Sequence, residues 1–220
     1  MARRLEPDGR GPSLHWEQRA WASQTVLIGV DEVGRGPLAG PVVAAAAVFP
    51  SGLTPLAGVR DSKTLSARQR AVLVPQLFEQ AVSLAVAAAS VREIDRFNIR
   101  VATAMAMRRA IDRVLRRMGA NAFQHRVLLD GLPLPECGHA HEALVDGDAL
   151  CYSIAAAGIV AKEVRDHLMR RLARRYPGYG WESNAGYATD FHRQAIFTHG
   201  PTAHHRRSFS PIAQLDLRLA

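Results

Sequence analysis

The fold is decided by the stretch Thr25-Val-Leu-Ile-Gly-Val-Asp31, an apolar run that predicts a buried strand ending in a carboxylate. The glycines and proline of Gly34-Arg35-Gly36-Pro37 then indicate a turn. Further strands are predicted over residues 42–49, 83–89, 126–129 and 142–145. The strand over residues 126–129 also ends in a carboxylate, at Asp130-Gly131.

Helical patterns lie between and after these strands. Ser66-Ala-Arg-Gln69 has the spacing of a capping box and predicts a helix start, and we expect Pro75 to kink or shorten that helix. Asn98, as N-cap, and Gly119, as a stop, bound a helix whose apolar residues recur every three or four positions. Two more helices are predicted over residues 149–175 and 189–198. Strands and helices with mixed connections place the chain in the α/β or α+β class.

The composition is that of a globular protein. Of 220 residues, 48% are hydrophobic and 22% are charged, which excludes general disorder. We expect a flexible basic leader over residues 1–22 and a single domain over residues 23–220. Cys137 and Cys151 are too few for a disulfide scaffold and predict free thiols. The longest apolar run is too short for a bilayer and we find no signal peptide, so we expect a soluble, cytoplasmic protein.

The charge of the chain is strongly positive. The formal net charge is +8, and all but two of the 28 basic residues are arginines. A basic surface favours a polyanionic partner, with nucleic acid foremost. The arginine excess is equally compatible with a biased genome composition, to which the many alanines also point. Charge alone leaves both interpretations open.

Carboxylates follow two of the predicted strands, at Asp31-Glu32 and at Asp130. In open α/β sheets, sites assemble at the carboxyl ends of neighbouring strands, so adjacent strands would bring Asp31 and Asp130 together. Converging carboxylates repel each other unless they share a proton or bind a cation, and oxygen ligands suit Mg²⁺ or Mn²⁺ better than zinc. The alternative is that each acid merely caps a turn.

Three more acids lie at or within the long helix predicted near residue 149. Asp146 and Asp148 precede it, and either is suited to be its N-cap. Asp166 lies 18 residues after Asp148. This is about 27 Å along a straight helix, so these two cannot bind one ion. Spacing alone does not choose between them.

Three other patterns are weaker signals. The string Gly34-Arg-Gly36-Pro-Leu-Ala-Gly40 resembles a dinucleotide-binding turn, but Asp31 and Glu32 would place negative charge beside a pyrophosphate. Cys137-x-His139-x-His141 offers three ligands without a fourth, which is more typical of a solvated loop than of a zinc site. His204-His205-Arg206-Arg207 suits either phosphate contact or packing of the tail, and we favour packing.

A long, ordered set of motifs runs through the chain, beginning with Gly29-Val-Asp31-Glu32-Val-Gly34-Arg35-Gly36-Pro37-Leu38-Ala39-Gly40-Pro41. It continues through Asp61-Ser62-Lys63-Thr-Leu-Ser66, Leu129-Asp130-Gly131, Gly147-Asp148, Ser153-Ile-Ala-Ala-Ala-Gly-Ile-Val-Ala-Lys162, Arg165-Asp166, Gly186-Tyr187 and His204-His-Arg-Arg-Ser-Phe209. In this order, and over roughly residues 25–212, the set resembles the ribonuclease HII family, the bacterial type 2 ribonucleases H.

The resemblance implies a ribonuclease H-like α/β fold, with a mixed five-stranded sheet flanked by helices and a helical extension at the C-terminal end. It places the family's four acidic residues, as catalytic groups and metal ligands, at Asp31, Glu32, Asp130 and Asp148. Asp148 is thereby favoured over Asp166. The implied cofactor is Mn²⁺ or Mg²⁺.

The resemblance also implies substrate contacts. The family's Gly-Arg-Gly motif, which is associated with reading the ribose 2′-hydroxyl, falls on Gly34, Arg35 and Gly36. The family's junction-sensing tyrosine falls on Tyr187, which would stack on the neighbouring sugar. Lys63 is a further expected substrate contact.

Three positions depart from the family's usual pattern. The family usually has Lys where Asp146 stands, a small hydroxyl residue where Gly158 stands, and His-Lys where Asn184-Ala185 stands. These departures concern phosphate contacts near the junction, and the four acids are intact. A separate constraint is that strand alternation sends Asp31 and Glu32 to opposite faces, unless the strand ends or bulges there.

The implied activity is hydrolysis of the RNA strand of RNA/DNA hybrids and cleavage 5′ of single ribonucleotides in duplex DNA, with a role in removing ribonucleotides from DNA. Two-metal catalysis would leave 3′-hydroxyl and 5′-phosphate ends. One rival is a metal nuclease of the same fold that cuts all-DNA substrates, against which the Gly-Arg-Gly motif argues. The other is a non-catalytic nucleic-acid-binding module, against which the four acids argue. We expect a monomer that contacts no membrane.

Overall fold

A computed structural model describes residues 11–119 and 124–216 and contains a five-stranded sheet in the order β3-β2-β1-β4-β5. The strands are β1 (Val26–Val33), β2 (Val42–Val48), β3 (Ser83–Ala89), β4 (His125–Asp130) and β5 (His141–Leu144). The helices are α1 (His15–Ala22), α2 (Ala67–Gln80), α3 (Val91–Met118), α4 (Gly147–Leu150), α5 (Tyr152–Arg175), α6 (Trp181–Asn184), α7 (Asp190–His199) and α8 (Ile212–Asp216).

The sheet is mixed, as predicted. β1, β2 and β3 form an antiparallel meander, whereas β4 pairs parallel to β1 and β5 pairs parallel to β4. All five predicted strands are present, with ends within two residues of the predicted ones. β1 is therefore the central strand. Its parallel neighbour β4 also carries a carboxylate near its carboxyl end, at Asp130.

The two faces of the sheet carry separate helical layers. On one face α3 packs on alternate strand residues such as Val30 and Ala44, and on the other α2 and α5 cover residues such as Ala45. Every residue of β2 is buried and its centre is alanine, so little side-chain volume separates sheet and helices. α5 approaches closely at Gly29, where a Cβ would lie 2.5 Å from the Cβ of Ser153. α5 therefore lies directly against the strand that carries the acidic pair.

α3 begins earlier than the sequence pattern predicts. A capping box between Ser90 and Glu93 starts it at Val91. Asn98 has φ 67° and ψ 167° and interrupts the helix, and its Oδ1 accepts a hydrogen bond from the Val101 N–H at 3.1 Å. Asn98 is an N-cap, as predicted, but a helical segment already precedes it. It therefore separates two consecutive segments of α3.

Two other helices also differ from expectation. α2 has the predicted capping box but continues through Pro75 to Gln80, so the expected shortening is wrong. Pro75 and Ala71, whose carbonyl loses its helical donor, are both exposed, and water can hydrate that oxygen. The long helix predicted over residues 149–175 is divided at Cys151, whose extended backbone separates α4 from α5.

The expected flexible leader is wrong for His15–Ala22, which form α1. Residues 1–10 of that prediction lie outside the described residues. Trp16, Glu17 and Ala20 are buried, and the two apolar side chains pack with Leu128 of β4. A helix of eight residues with one narrow apolar face leaves too little periodicity to be recognised in the sequence.

Beyond α5, the short helices α6, α7 and α8 pack around the fully buried Trp181, together with Met169 and Ile196. They form the C-terminal helical extension that the sequence analysis expects, and α7 matches the helix predicted over residues 189–198 to within one residue. None of the helices in the described ranges is both long and apolar enough to cross a membrane.

Candidate metal centre

Three carboxylates meet near the carboxyl ends of β1 and β4; β1 continues for two residues past Asp31, where the sequence pattern predicted its end. The two strands run parallel with Val30 opposite Leu129, so Asp31 and Asp130 follow side by side at the same sheet edge. Asp148 comes from α4, which begins shortly after β5. One oxygen atom of each of these three carboxylates lies within 4.8 Å of the chosen oxygens of the other two. Three of the four acids singled out by the sequence analysis therefore form one cluster.

Asp31 lies against α5 because Gly158 has no side chain. A Cβ at Gly158 would sit 2.2 Å from Asp31 Oδ2, so any larger residue there would displace this carboxylate. Asp31 Oδ1 accepts a hydrogen bond from the Glu32 N–H at 2.7 Å. Asp31 is only 6% exposed. The glycine at position 158 thus fits this chain's placement of Asp31, where the family pattern has a hydroxyl residue.

Asp130 is held by the first turn of α4. Its Oδ1 accepts a hydrogen bond from the Gly147 N–H at 2.8 Å, and the Asp148 N–H also donates to its carboxylate. A Cβ at Gly147 would lie 2.8 Å from Ile154 and 3.1 Å from Asp130 Oδ1, so only glycine lets α4 come this close. The contact that orients Asp130 also places Asp148 beside it.

Burial raises the pKa of all three acids, and the charges of neighbouring acids raise the pKa of Asp31 and Asp148 further. Desolvation, followed by the neighbouring acidic charges, raises the pKa of Asp31 well above its usual value, and desolvation raises the pKa of Asp130. Burial and then the charges of Asp130 and Asp61 raise the pKa of Asp148 to about 6. A cation among these carboxylates would remove the repulsion, and an all-oxygen donor set suits Mg²⁺ or Mn²⁺. The residues present therefore fit a hard divalent ion.

Glu32 lies beside this cluster and is not one of its three members. β1 pairs with β2 in unbroken register from Gly29 to Val33, so the strand neither ends nor bulges at Glu32, and alternation turns it from the face of Asp31. Its carboxylate pairs with Arg35 at 3.4 Å. Burial raises the pKa of Glu32 to about 7, against the opposing charge of Arg35. Glu32 thus adds negative charge near the cluster from the face of the sheet opposite Asp31.

A short 3₁₀ turn, Ser62–Thr64, brings a lysine and a fourth aspartate to the cluster. Asp61 caps the turn by accepting a hydrogen bond from the Lys63 N–H at 2.9 Å, and it shares a side-chain hydrogen bond with Asp148. Partial burial alone would lower the pKa of Lys63, but Asp61 and the three cluster acids together raise it. The sequence analysis predicts Lys63 and misses Asp61, although Asp61 opens one of the motifs that carry the resemblance.

The other two candidate acids have different contacts. Asp166 accepts hydrogen bonds from Arg70 and Lys162, each at 2.7 Å, in a buried ion-pair network that joins α2 to α5. The choice that spacing left open thus falls on Asp148. Asp146 occupies the N-cap position of α4 in a left-handed conformation, but its side chain makes no capping hydrogen bond there.

Two buried arginines fix the glycine-rich loop after β1. The carbonyl oxygens that accept hydrogen bonds from Arg165 or Arg206, at 2.5–3.0 Å, belong to Gly34, Arg35, Ala39, Gly40, Pro41 and Ala185. Gly34 has φ 98°, and a Cβ there would lie 2.1 Å from Arg165 Nε. The predicted packing of the tail is confirmed for Arg206 and His205, which are buried. The sequence analysis misses the role of Arg165, because nothing local shows that a helical arginine faces inward.

Tyr187 lies beside the same loop. A Cβ at Gly36 would be 3.8 Å from the tyrosine ring, and Tyr187 is 45% exposed. The Tyr187 carbonyl oxygen lies 2.8 Å from Nδ1 of the buried His192, whose Nε2 accepts a hydrogen bond from Trp181 Nε1 at 3.0 Å. The structure therefore brings the Gly34-Arg35-Gly36 motif and Tyr187 together, with the ring open to solvent.

Asn184 and Ala185 shape the turn before Tyr187. Asn184 donates from Nδ2 to the Tyr179 carbonyl and accepts the Gly186 N–H at Oδ1, both at 2.8 Å. Ala185 has φ 48°, in the left-handed region. This pair supports the backbone and presents no positive charge where the family usually has His-Lys.

The Cys137-x-His139-x-His141 pattern forms no zinc cluster. Cys137 is buried, His139 pairs with Asp112 at 2.8 Å, and His141 Nε2 accepts the Leu134 N–H at 3.0 Å. Within residues 11–119 and 124–216, the carboxylates at the sheet edge are the one set of three potential ligands within reach of one ion. The segment runs from a short 3₁₀ turn at Cys137 to the first residue of β5 at His141, and the expected solvation is wrong for Cys137, which packs in the core.

Sequence comparisons point to one family. The family model described as Ribonuclease HII matches residues 28–212. The chain is 50% identical over 208 residues to a Ribonuclease HII of Synechococcus sp. (strain JA-3-3Ab), which covers 93% of this chain and 91% of that protein. It is 47% identical over 203 residues to a Ribonuclease HII of Zymomonas mobilis subsp. mobilis, which covers 92% and 91%.

Solved structures share the fold. Ribonuclease H2 from Pyrococcus horikoshii OT3 superimposes with a TM-score of 0.70 and 23% identity, covering 88% of this chain and 98% of that one. Bst-RNase HIII in complex with Mn²⁺ gives a TM-score of 0.67 and 21% identity, covering 88% and 70%. At these identities the likeness concerns the fold, and it confirms the expected ribonuclease H-like architecture.

Proposed function

The chain belongs to the ribonuclease HII family and is a ribonuclease H, and we propose that it hydrolyses the RNA strand of RNA/DNA hybrids and cuts 5′ of single ribonucleotides in duplex DNA. The observation that carries this is that the Gly34–Gly36 loop directly follows the strand of Asp31 and lies against Tyr187, while Asp31 converges with Asp130 and Asp148. Backbone without side chains can approach a sugar closely, and the 2′-hydroxyl is the group by which proteins distinguish RNA from DNA.

Asp31, Asp130 and Asp148, with Glu32 alongside, would hold Mn²⁺ or Mg²⁺. When bound as a pair, such ions would supply a more acidic attacking water and charge stabilisation for the leaving 3′-oxygen. The products would be a 3′-hydroxyl and a 5′-phosphate. Since the 2′-hydroxyl is here a recognition group and not the nucleophile, no cyclic phosphate should form.

The chain's own residues would bind and orient the substrate. Lys63, which faces the acidic cluster, is placed to neutralise a phosphate that approaches it. The exposed ring of Tyr187 is placed to stack on the sugar next to the ribonucleotide. The N–H groups and Cα atoms of Gly34 and Gly36 would approach the 2′-hydroxyl, in a loop whose shape Arg165 and Arg206 fix.

The wider assignments belong to the same proposal. With a net charge of +8, the protein would contact phosphates of both strands, and its affinity should fall as salt rises. We place its action in the cytoplasm, in removing ribonucleotides from DNA, and expect a monomer. We assign the catalytic domain to residues 23–220, with α1 as an addition to it from the preceding segment.

A labelled DNA duplex with one ribonucleotide tests the proposal directly. With Mg²⁺ or Mn²⁺ we expect a single cut 5′ of the ribonucleotide, and no cut with EDTA, with an all-DNA duplex, or with Asp130→Asn. Glu79→Gln is the control, because Glu79 is an exposed acid of α2 outside the acidic cluster, and it should cut like the wild type. Cutting of the all-DNA duplex would favour the general metal nuclease, and tight binding without cutting by any form would favour a binding module.

A further inference from the structure

We propose that Glu17, in the segment preceding β1, is a positioning residue that sets the place of Asp148 in the acidic cluster. The inference rests on the proposed function, since it concerns the same three carboxylates. It assigns a role in that site to α1, which neither the motifs nor the family's acidic residues point to.

Glu17 caps the helix that follows the Asp148 turn. Although it is only 1% exposed, its Oε1 accepts hydrogen bonds from the Ser153 N–H at 2.8 Å, from Ser153 Oγ at 2.7 Å, and from the Cys151 thiol at 3.2 Å. These groups belong to the N-cap and first turn of α5, where N–H groups lack helical partners and a negative charge is favoured. The cap of α5 is thus supplied by a residue more than 130 positions earlier in the chain.

The cost of burying Glu17 argues that the carboxylate has a specific task. Its second oxygen, Oε2, is buried without a hydrogen-bond partner among the described residues. Half of a buried carboxylate is therefore left unsatisfied, which is unfavourable. An uncharged side chain would fill the space at lower cost, so the contacts of Oε1 must explain the residue.

The backbone next to Glu17 holds the same junction. Ser13 forms an isolated parallel bridge with Cys151, in which the Tyr152 N–H donates to the Ser13 carbonyl at 3.2 Å. The Ser13 N–H and hydroxyl lie 3.4 Å from the carbonyl of Leu150, the last residue of α4. The segment therefore contacts both the end of α4 and the start of α5.

α4 needs such support, because it has only four residues and an isolated helix of that length is unstable. At its start, Asp130 accepts the Gly147 and Asp148 N–H groups. At its end, Ser13 and Glu17 hold Leu150 and the residues that follow. Asp148 belongs to the first of these attachments, and loss of the second would leave its turn held at one end only.

The same segment leads directly into the strand that carries Asp31. α1 ends at Ala22 and β1 begins at Val26, and α1 is anchored by Trp16 and Ala20 in a core shared with β1, β4 and α5. Glu17 therefore connects the element that carries Asp148 to the strands that carry the other two acids. Its removal should widen the cluster without changing the face that binds nucleic acid.

The test is Mn²⁺ binding to the full-length protein by titration calorimetry, without nucleic acid and well below the melting temperature of every variant. Glu17→Ala should weaken Mn²⁺ binding about tenfold, as is typical when a group that orients a metal ligand is lost. Glu17→Gln keeps an acceptor oxygen for Ser153 and should remain within about twofold of the wild type, since amide and carboxylate oxygens both accept these bonds. In cleavage assays, the Mn²⁺ concentration for half-maximal rate should rise with Glu17→Ala, while the KM for the duplex stays unchanged.

Val114→Ala is the stability control, because Val114 is fully buried under the other face of the sheet. It should lower the melting temperature and leave Mn²⁺ affinity unchanged. If Glu17→Ala does not fold, Glu17→Asp replaces it in the test. This variant keeps the negative charge but shortens the side chain by one methylene, which moves the carboxylate away from Ser153, and it should weaken Mn²⁺ binding measurably. Equal Mn²⁺ affinity in the wild type and in the Ala or Asp variant would overturn the inference and leave the proposed function intact. A wild type that binds no Mn²⁺, or binds it as well after Asp130→Asn, would instead overturn the proposed function.

Discussion

Two neighbouring regions at the end of β1 both bury charge, but they compensate for it differently. In the loop after the strand, the guanidinium groups of Arg165 and Arg206 donate to carbonyl oxygens of the loop itself. In the cluster, Asp31, Asp130 and Asp148 receive a few N–H groups and otherwise face one another. The first region is complete without any added component, whereas the second is stable only when protons or a cation balance its charge.

The pKa values express the same contrast. Burial lowers the pKa of Arg206 to about 9, so this side chain keeps its charge at neutral pH. Burial raises the pKa of Asp148 to about 6 and that of Glu32 to about 7, so these groups change charge near neutral pH. Burial of charge alone therefore does not mark a functional site. Buried carboxylates that face one another, and whose pKa values stay raised although Lys63 lies beside them, do.

We expect the largest effect from Asp31→Asn, which removes one carboxylate of the cluster. We expect cleavage to fall by about 10³-fold or more, because a group that acts through the bound ions is lost. Without metal at pH 8 we expect the variant to be more stable than the wild type by roughly 1 kcal/mol or more, because the native state raises the pKa of Asp31. Rate assays and thermal melts in EDTA measure the two effects.

Asp166→Asn is the matched control for that variant. Asp166 is also a buried carboxylate, but it pairs with Arg70 and Lys162. Removing one partner of a buried ion pair costs about 3–5 kcal/mol, so this variant should be less stable than the wild type. If both substitutions changed stability in the same direction, the distinction between compensated and uncompensated buried acids would be wrong.

Arg206→Met tests the loop after β1, in which buried guanidinium groups donate hydrogen bonds to carbonyl oxygens. The substitution leaves three loop carbonyl oxygens without the donor that now serves them, and we expect a loss of about 3 kcal/mol in unfolding free energy. Arg171→Met, at an exposed position of α5, should change stability by less than about 0.5 kcal/mol. Urea unfolding compares the two, and a silent Arg206→Met would show that the loop holds its shape without the guanidinium group.

Metal should stabilise the protein in a pH-dependent way. Without metal, the raised pKa values of Asp31, Asp130 and Asp148 favour folding at low pH, and stability should fall as pH rises from about 4 through 6 and beyond. Mn²⁺ binds the deprotonated acids, so its effect should be small at pH 5 and reach about 2.7 kcal/mol at pH 8 with Mn²⁺ at 100 times its Kd. Melts across this range test the sign, and Asp130→Asn should remove most of the Mn²⁺ effect.

The smallest expected effect concerns Tyr187, which lies beside the loop that Arg165 and Arg206 fix. Tyr187→Ala should lower cleavage at a single ribonucleotide about tenfold, in the range for loss of one stacking contact. Tyr187→Phe keeps the ring and should stay within about twofold, since its exposed ring and not its hydroxyl is proposed to act. Equal loss in both variants would assign the effect to the hydroxyl. Long RNA/DNA hybrids, which offer many sites, should be affected less.

The sequence was most informative where local pattern and structure coincide. Apolar runs that end in acids predicted β1 and β4, and their parallel pairing then brings Asp31 and Asp130 together. The resemblance supplied Asp148, which spacing could not choose over Asp166. Each of these predictions depends on strand ends or on ordered motifs, both of which are visible in a linear chain.

What escaped prediction depends on contacts between distant parts of the chain. Nothing near Glu17 in the sequence shows that it caps α5, and nothing near Arg165 shows that it donates to the loop after β1. The assignment of Glu32 as a metal ligand, which the resemblance implies, stays a prediction, because the register of β1 turns it to the other face while its charge still acts on Asp31. Pro75 was expected to shorten α2, but exposure of the freed carbonyl makes the proline tolerable there.

The order of the elements along the chain also separates the parts of the site in time while the chain is being synthesised. The β1–β3 meander is local and is complete at Ala89, whereas Asp130 and Asp148 follow much later. At about 5–20 residues per second, Asp31 leaves the ribosome on the order of ten seconds before its two partners. A nascent chain that stops short of Asp148 lacks one of the three carboxylates, so under the proposed function we expect the unfinished protein not to cut the nucleic acid around it.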